Sequence, residues 1–325
     1  IAPAITLSGA SDTDEGSVYT LGISVADPGD DTISQYTVDW GDGTAETVPG
    51  TASSAVHTYA DGPDNYTISA SGTDEDGTHS AENTVDVTVH NVAPAVSIDN
   101  ITQPNPYCIL PGDTLQFSGS FTDPGVPDTH TIVWDFGDGT PAAAGTLAPD
   151  HAYAASGEYT ATLTVTDKDG DAGSDSCTVT VCTYGQVIEN ISEILEGLDI
   201  PDRPRVLNRM KDKALQDLLQ AQQKMEQGNV GRALHELGQA VQRLSLISRY
   251  VDGADGIITM ILSLTDRIVS SRIVQAVQDA DSFFDVIMVR MAQMFYRRAV
   301  ITAGRNSALA MTFYRSAFIM ADRVR

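Results

Sequence analysis

Chemistry in this 325-residue chain would have to come chiefly from carboxylates, since 44 Asp and Glu stand against 19 Lys and Arg, a formal net charge of −25. Asp167, Asp169 and Asp171 occupy alternate positions, and Asp74 and Asp76 lie in a similar acidic turn, Asp74-Glu75-Asp76-Gly77. Oxygen ligands at this density suit a hard cation such as calcium, and no other cofactor is expected. The run is not an EF-hand loop, because Ala172 and Thr178 stand where that loop needs Gly and a bidentate Glu. The plainer reading of the same acids is a solvated surface that keeps an exported protein soluble.

Catalytic constellations are missing. Six histidines occur, at 57, 79, 90, 130, 151 and 235, without a His-Glu-x-x-His, Gly-x-Ser-x-Gly, Cys-x-x-Cys or phosphate-loop pattern. Carboxylate pairs for glycoside hydrolysis are abundant in number, but abundance is not placement. The expectation is that the chain is not an enzyme.

The elements that must position these acids come from a repeat. Asp39-Trp40-Gly41-Asp42-Gly43-Thr44 returns as Trp134-Asp135-Phe136-Gly137-Asp138-Gly139-Thr140, each copy preceded by alternating apolar residues (Tyr36, Val38, Trp40; Ile132, Trp134, Phe136). Period-two alternation running into Gly-Asp-Gly predicts a strand and then a tight turn with positive φ. Asp42 and Asp138 are expected to accept backbone hydrogens in that turn. Downstream, His57-Thr58-Tyr59 matches His151-Ala152-Tyr153, and an acidic turn closes each copy. The repeated His is expected to brace a loop.

These residues resemble the PKD domain, an immunoglobulin-like sandwich marked by W-D-F-G-D-G-T, H-x-Y and G-x-Y-x-V-x-L-x-V-x-D. The second copy fits closely. The first departs from it, with Val38 in place of Trp, Trp40 in place of Phe, and an insertion at Pro63-Asp64. The resemblance implies two all-β sandwiches, residues 1–91 and 92–182, with calcium bound near the acidic turns in some members, which makes Asp167, Asp169 and Asp171, with Asp74 and Asp76, the candidate calcium ligands. It also places the first edge strand parallel to the last, which implies a disulfide between Cys108 and Cys177, or in the alternative between Cys108 and Cys182; a disulfide implies export.

Charge is divided unevenly. Residues 1–182 hold 28 Asp and Glu against the single Lys168, and residues 183–325 hold 18 Lys and Arg against 16 acids. The acidic half repels phosphate, so nucleic acid is not an expected partner. No run of 18 uncharged apolar residues exists, and Val286 to Ala303 is interrupted by Arg290, Arg297 and Arg298, so no membrane span is expected. Aromatic residues in the sandwiches fall mostly at strand positions, a thin supply of stacking platforms for carbohydrate.

After Cys182 the composition changes, and all eight methionines lie beyond it. Leu207, Met210, Ala214, Leu218, Ala221 and Met225 step by three and four, opening after Asp202 with Pro204 in the first turn and closing at Gly228. Asn229 is placed to cap a second helix carrying Val230, Ala233, Leu234, Leu237, Ala240, Val241, Leu244 and Ile247. This hairpin resembles the FIMAH-type helical module that follows surface repeats in exported bacterial proteins, though Gln239-Ala240 replaces that family's Phe-Ile. Three more helices are expected over Ile257–Val277, Phe283–Ile301 and Leu309–Val324, making residues 183–325 an all-α bundle.

Phe283, Phe284, Ile287, Met288, Met291, Met294 and Phe295, with Phe313 and Phe318, offer more apolar surface than five or six helices can bury. Large exposed apolar patches mark interfaces. The expectation is therefore an extracellular or cell-surface structural protein of a prokaryote, a homo-oligomer or helical polymer, with helices inside the assembly and acidic sandwiches displayed outward. The alternative is a non-catalytic adhesion or substrate-binding accessory region of a larger secreted hydrolase.

Overall fold

The computed structural model describes residues 2–26, 32–102, 109–200 and 205–324. Among the described residues the first repeat forms β1 (Ala4–Ser8), β2 (Asp12–Asp14), β3 (Val18–Ala26), β4 (Gln35–Asp39), β5 (Ala45–Pro49), β6 (Ser54–Thr58), β7 (Asp64–Thr73), β8 (Thr78–Ser80) and β9 (Val85–His90). One sheet runs β1-β3-β6 and the other β2-β9-β7-β4-β5, with β8 paired to β7. Alternation sets which side chains go inward: Tyr36 and Val38 of β4 are buried between exposed neighbours, and they meet Ile5, Leu21, Ile68 and Val87 in one core.

The second repeat forms β10 (Ala95–Thr102), β11 (Thr114–Thr122), β12 (Thr131–Asp135), β13 (Ala143–Ala144), β14 (Asp150–Ala152), β15 (Gly157–Thr166) and β16 (Ala172–Val181). Its sheets run β10-β11-β14 and β13-β12-β15-β16. Leu115, Phe117, Trp134, Ala161, Leu163 and Val165 are buried by the same alternation. Both sandwiches are thus immunoglobulin-like, and a C-terminal all-α region follows them.

The repeated turn has the geometry its glycines predict. Gly41, Gly43, Gly137 and Gly139 all have positive φ, between 72° and 89°. A Cβ on Gly41 would come within 2.8 Å of the Thr67 carbonyl oxygen, and one on Gly137 within 2.5 Å of that of Thr160. Both backbone angle and space therefore demand glycine.

The chain divides into two compact units. The first is Ile1–Thr102, Thr114–His151 and Tyr159–Val179, holding nearly all of both sandwiches; the second is Gln103–Asp113, Ala152–Glu158 and Thr180–Arg325. Within the first unit the sandwiches join around Glu15, which is buried and accepts the N–H groups of Gly62 (2.7 Å) and Val92 (2.9 Å). The Val126 N–H donates to the Ala60 carbonyl (3.1 Å). Lys168 Nζ donates to Asp61 (2.6 Å), Asp128 (2.7 Å) and Asp169 (2.6 Å).

The second unit contains α1 (Tyr184–Glu196), α2 (Arg205–Glu226), α3 (Val230–Ile247), α4 (Ala254–Asp279), α5 (Phe283–Ala303) and α6 (Ser307–Ala321). The first of these was not foreseen, although Thr183 and Gln186 form a reciprocal capping box at its start. Asp202 and Pro204, expected to open the next helix, lie outside the described residues. Asn229 precedes α3 but its side chain makes no capping hydrogen bond; the turn rests on Gly228 at φ 70°. Leu218, Leu237, Val241, Leu244, Ile261 and Val269 are among the core residues of this unit, and Leu110 and Cys182 join them. Asp113 accepts the Leu110 N–H (2.8 Å) and pairs with Arg267 of α4. No helix among the described residues is long and apolar enough to cross a membrane.

Candidate functional site

The Asp-Gly turns bring aspartate and histidine together for a structural purpose. Asp42 Oδ1 accepts the Thr44 N–H (2.9 Å) and hydroxyl (2.6 Å), while His57 Nε2 lies 2.7 Å from Oδ2. The second copy repeats this: Asp138 Oδ1 accepts from Thr140 N–H and Oγ1, with His151 Nε2 2.9 Å from Oδ2. His57 stacks on Trp40 and His151 on Phe136, at ring separations of 4.8 and 3.8 Å. Burial pushes both carboxyls up, but the Thr and His hydrogen bonds outweigh it and hold them below the usual range. Each threonine hydroxyl is spent on its own turn, and each histidine ties that turn to the aromatic layer beneath.

The five acids singled out for calcium lie in two separate turns, and among the described residues neither turn by itself gathers three carboxylate oxygens. Asp74 Oδ1 is taken up by the N–H groups of Asp76 and Gly77, and Asp167 Oδ1 by those of Asp169, Gly170 and Asp171. Asn91 donates to Asp167 Oδ2 (2.8 Å) and to Asp171 (2.9 Å). Asp169 points instead at Lys168. Alternate positions on a tight turn send successive side chains in different directions, and backbone donors claim the first aspartate. Among the described residues the carboxylates that do gather are Glu15 with Asp123 and Asp128, and Asp61 with Asp128 and Asp169. Neither set was foreseen; the available signal was Asp-Pro-Gly, which recurs at 27–29 and 123–125.

The cysteine assignment is corrected. Cys177 carries a free, half-buried thiol whose pKa burial and the nearby Asp175 push up, and Cys182 is the disulfide-bonded residue. Cys108 lies outside the described residues. Ile109 bridges in parallel to Val181, and the Cys182 N–H donates to the Ile109 carbonyl (2.8 Å). The strand pairing therefore reaches the end of β16, several residues beyond Cys177.

The apolar residues expected at an interface divide in two. Met288 and Phe318 belong to the helical core, Phe295 and Phe313 pack partly buried against it, and Met291 is half-buried. Phe283 (83% exposed), Phe284, Ile287 and Met294 face solvent, as do Val286, Val300 and Ile301 (71%). Exposed residues Phe283, Ile287, Arg290, Met294, Arg297 and Ile301 follow a four-three spacing along one seam of α5. Arg297 and Met294 also line a shallow groove with Arg290, Gln293, Arg298 and Ile301. The helix's one acid, Asp285, is buried and closes a capping box with Ser282. Its exposed surface is thus apolar and cationic.

A model of the PKD domain matches residues 1–89 and 91–181. Over 75 residues the chain is 35% identical to a microbial collagenase of Vibrio alginolyticus, a stretch that makes up 23% of this chain and 9% of that protein. The chain therefore spans only a small part of that relative's length. The PKD1 domain of the Vibrio cholerae metalloprotease PrtV is similar at 27% identity and a TM-score of 0.22, over 28% of this chain and 100% of that one. The PKD1 domain of Vibrio anguillarum Epp is similar at 26% identity and a TM-score of 0.22, over 28% and 96% of the two chains.

Proposed function

The chain belongs to the PKD domain family through residues 1–89 and 91–181, and from that premise we propose that it is an extracellular structural protein, a non-catalytic subunit of a self-assembling surface fibre, tube or layer. The observation that carries this reading is the exposed seam of α5, where Phe283, Ile287, Met294 and Ile301 are interleaved with Arg290 and Arg297, with Phe284 and Arg298 exposed beside it. An apolar surface of this extent is costly in water and is covered in most soluble proteins. The occupant that fits is a second copy of this chain. Two such seams facing each other would gather arginines of like charge in one interface, whereas the sandwiches of another copy offer 28 acids against one lysine. The favoured contact is therefore heterologous, helix to sandwich, and contacts of that kind propagate into rings or open polymers.

Sedimentation velocity tests this on the full chain. Wild type is expected to sediment as concentration-dependent oligomers, and Phe283→Ser/Phe284→Ser/Ile287→Gln/Met294→Gln as a monomer with unchanged helix content. Removing α4–α6 outright is a poorer test, because Ile261, Val269 and Tyr314 complete the core around α3. The FIMAH-type resemblance of α2 and α3 fits the same exported architecture.

A second reading rests on the likeness to the collagenase of Vibrio alginolyticus. In it the two sandwiches serve as a substrate-binding accessory region of a larger secreted hydrolase. Retention of residues 1–182 on insoluble collagen or polysaccharide, with no oligomer formed by the full chain, would favour it.

A further inference from the structure

Three carboxylates meet where the sandwiches join. Glu15, in the first sandwich, is 1% exposed, and the side chains of Asp123 and Asp128 in the second are 4% and 0% exposed. One oxygen from each lies within 4.8 Å of the others. The partners of these groups leave one position open. Glu15 takes the Gly62 and Val92 N–H groups; Asp123 takes the Gly125 N–H (2.9 Å) and lies 2.7 Å from His130 Nε2. Asp128 Oδ1 takes Lys168 Nζ, but Asp128 Oδ2 is buried and has no hydrogen-bond partner. That oxygen points into the cluster: a Cβ on Gly125 would lie 2.7 Å from Asp128 Oδ2 and 3.0 Å from Glu15 Cδ.

From this geometry we infer that Glu15, Asp123 and Asp128 form a calcium-class divalent cation site that bridges the two sandwiches. A buried carboxylate oxygen without a donor is costly, and two further carboxylates beside it add repulsion that a bound cation would remove. Calcium sits 2.3–2.6 Å from its ligands, so two ligands of one ion can stand about 5 Å apart, a span these three oxygens satisfy. The donor set is all carboxylate oxygen, which suits calcium or magnesium better than zinc or copper. The second acidic group, Asp61 with Asp128 and Asp169, is already bridged by the Lys168 ammonium and is not a site. Bound metal ties the turn after β2 to the Asp123-Pro124-Gly125 loop, where Gly16 is already close enough that a Cβ would come within 2.5 Å of Pro124 Cβ. Calcium thereby fixes the orientation of one sandwich on the next. This inference stands apart from the helical seam and does not depend on it.

Calorimetric titration of calcium chloride into the EDTA-dialysed full chain tests it, with a parallel melt in EDTA and in calcium. Wild type is expected to bind calcium and to melt higher in its presence. Asp128→Asn, which keeps an oxygen for Lys168 but turns an amide toward the cluster, is expected to weaken that binding at least about tenfold. Asp123→Asn is the second variant should the first fail to fold. Asp76→Asn/Asp171→Asn is expected to bind as wild type does. Absence of calcium binding in wild type, undiminished binding in folded Asp128→Asn or Asp123→Asn, or loss in the Asp76/Asp171 variant in their place, would overturn the assignment.

Discussion

Lys168 Nζ lies 2.6 Å from a carboxylate oxygen of Asp61, so the single lysine of the acidic half spans the junction between the two sandwiches. It also holds Asp128, whose side chain is fully buried, and the hydrogen bonds it donates to Asp128, Asp169 and Asp61 keep the ammonium protonated well above its ordinary range. Replacing it leaves a buried carboxylate without its counter-charge.

Lys168→Met is therefore expected to destabilise the sandwich pair by about 1–2 kcal/mol, less than for a fully buried pair because the ammonium is 32% exposed. Urea unfolding followed by tryptophan fluorescence measures it. The loss should be larger in EDTA than in calcium. An unchanged midpoint in both would show that the bridge contributes nothing.

Acid should unfold the sandwiches. Burial pushes Asp42, Asp74, Asp138 and Asp167 up, yet hydrogen bonds outweigh it in each: from Thr44 and His57, from the Gly77 and Asp76 N–H groups with His79, from Thr140 and His151, and from Asn91 with the turn N–H groups. Folded values below the unfolded one mean that stability is present above about pH 3.9 and is lost as pH falls through the folded values. Glu15 has the opposite sign: burial, with Asp128 and Asp123 nearby, raises it, so its contribution is full at low pH and disappears as pH rises through its folded value. Four groups against one predict a melting temperature that falls between pH 4 and pH 2. A flat or rising profile there would contradict these assignments.

Thiol chemistry separates the two cysteines of β16 and its end. One thiol per chain, Cys177, should react with a thiol reagent after unfolding without reductant, and slowly before it, since the group is half-buried and its pKa is raised. Cys177→Ser should leave stability almost unchanged, whereas Cys182→Ser should cost about 2–5 kcal/mol. Three reactive thiols in the oxidised, unfolded protein would refute the pairing.

Much of the fold was legible because the repeated turn constrains it so tightly. Gly41 and Gly137 are required both by positive φ and by a backbone passing close by, and Asp42 and Asp138 accept the hydrogens their turn presents; each requirement is local and so readable. The α2–α3 hairpin was readable for the same reason, through its three-four spacing. The first helix was missed because its apolar positions, Val187, Ile188, Ile191 and Leu195, begin directly after the last strand, with only Thr183 and Gln186 to mark the change of period. The cation-ready cluster was not legible, because Glu15, Asp123 and Asp128 come from turns more than a hundred residues apart and only the packing of two sandwiches unites them. Periodicity likewise could not divide Met288, in the core, from Met294, on the surface: α5 is apolar around most of its circumference, and only its neighbours decide which side is covered.

Negative-stain microscopy of the full chain, at low and at molar salt, tests the central claim most directly. Heterologous contact between the cationic seam of α5 and acidic sandwiches predicts filaments, tubes or closed rings at low salt that thin out or dissolve as salt screens the arginines. A field of single, separate particles at every salt and protein concentration would contradict self-assembly through this seam.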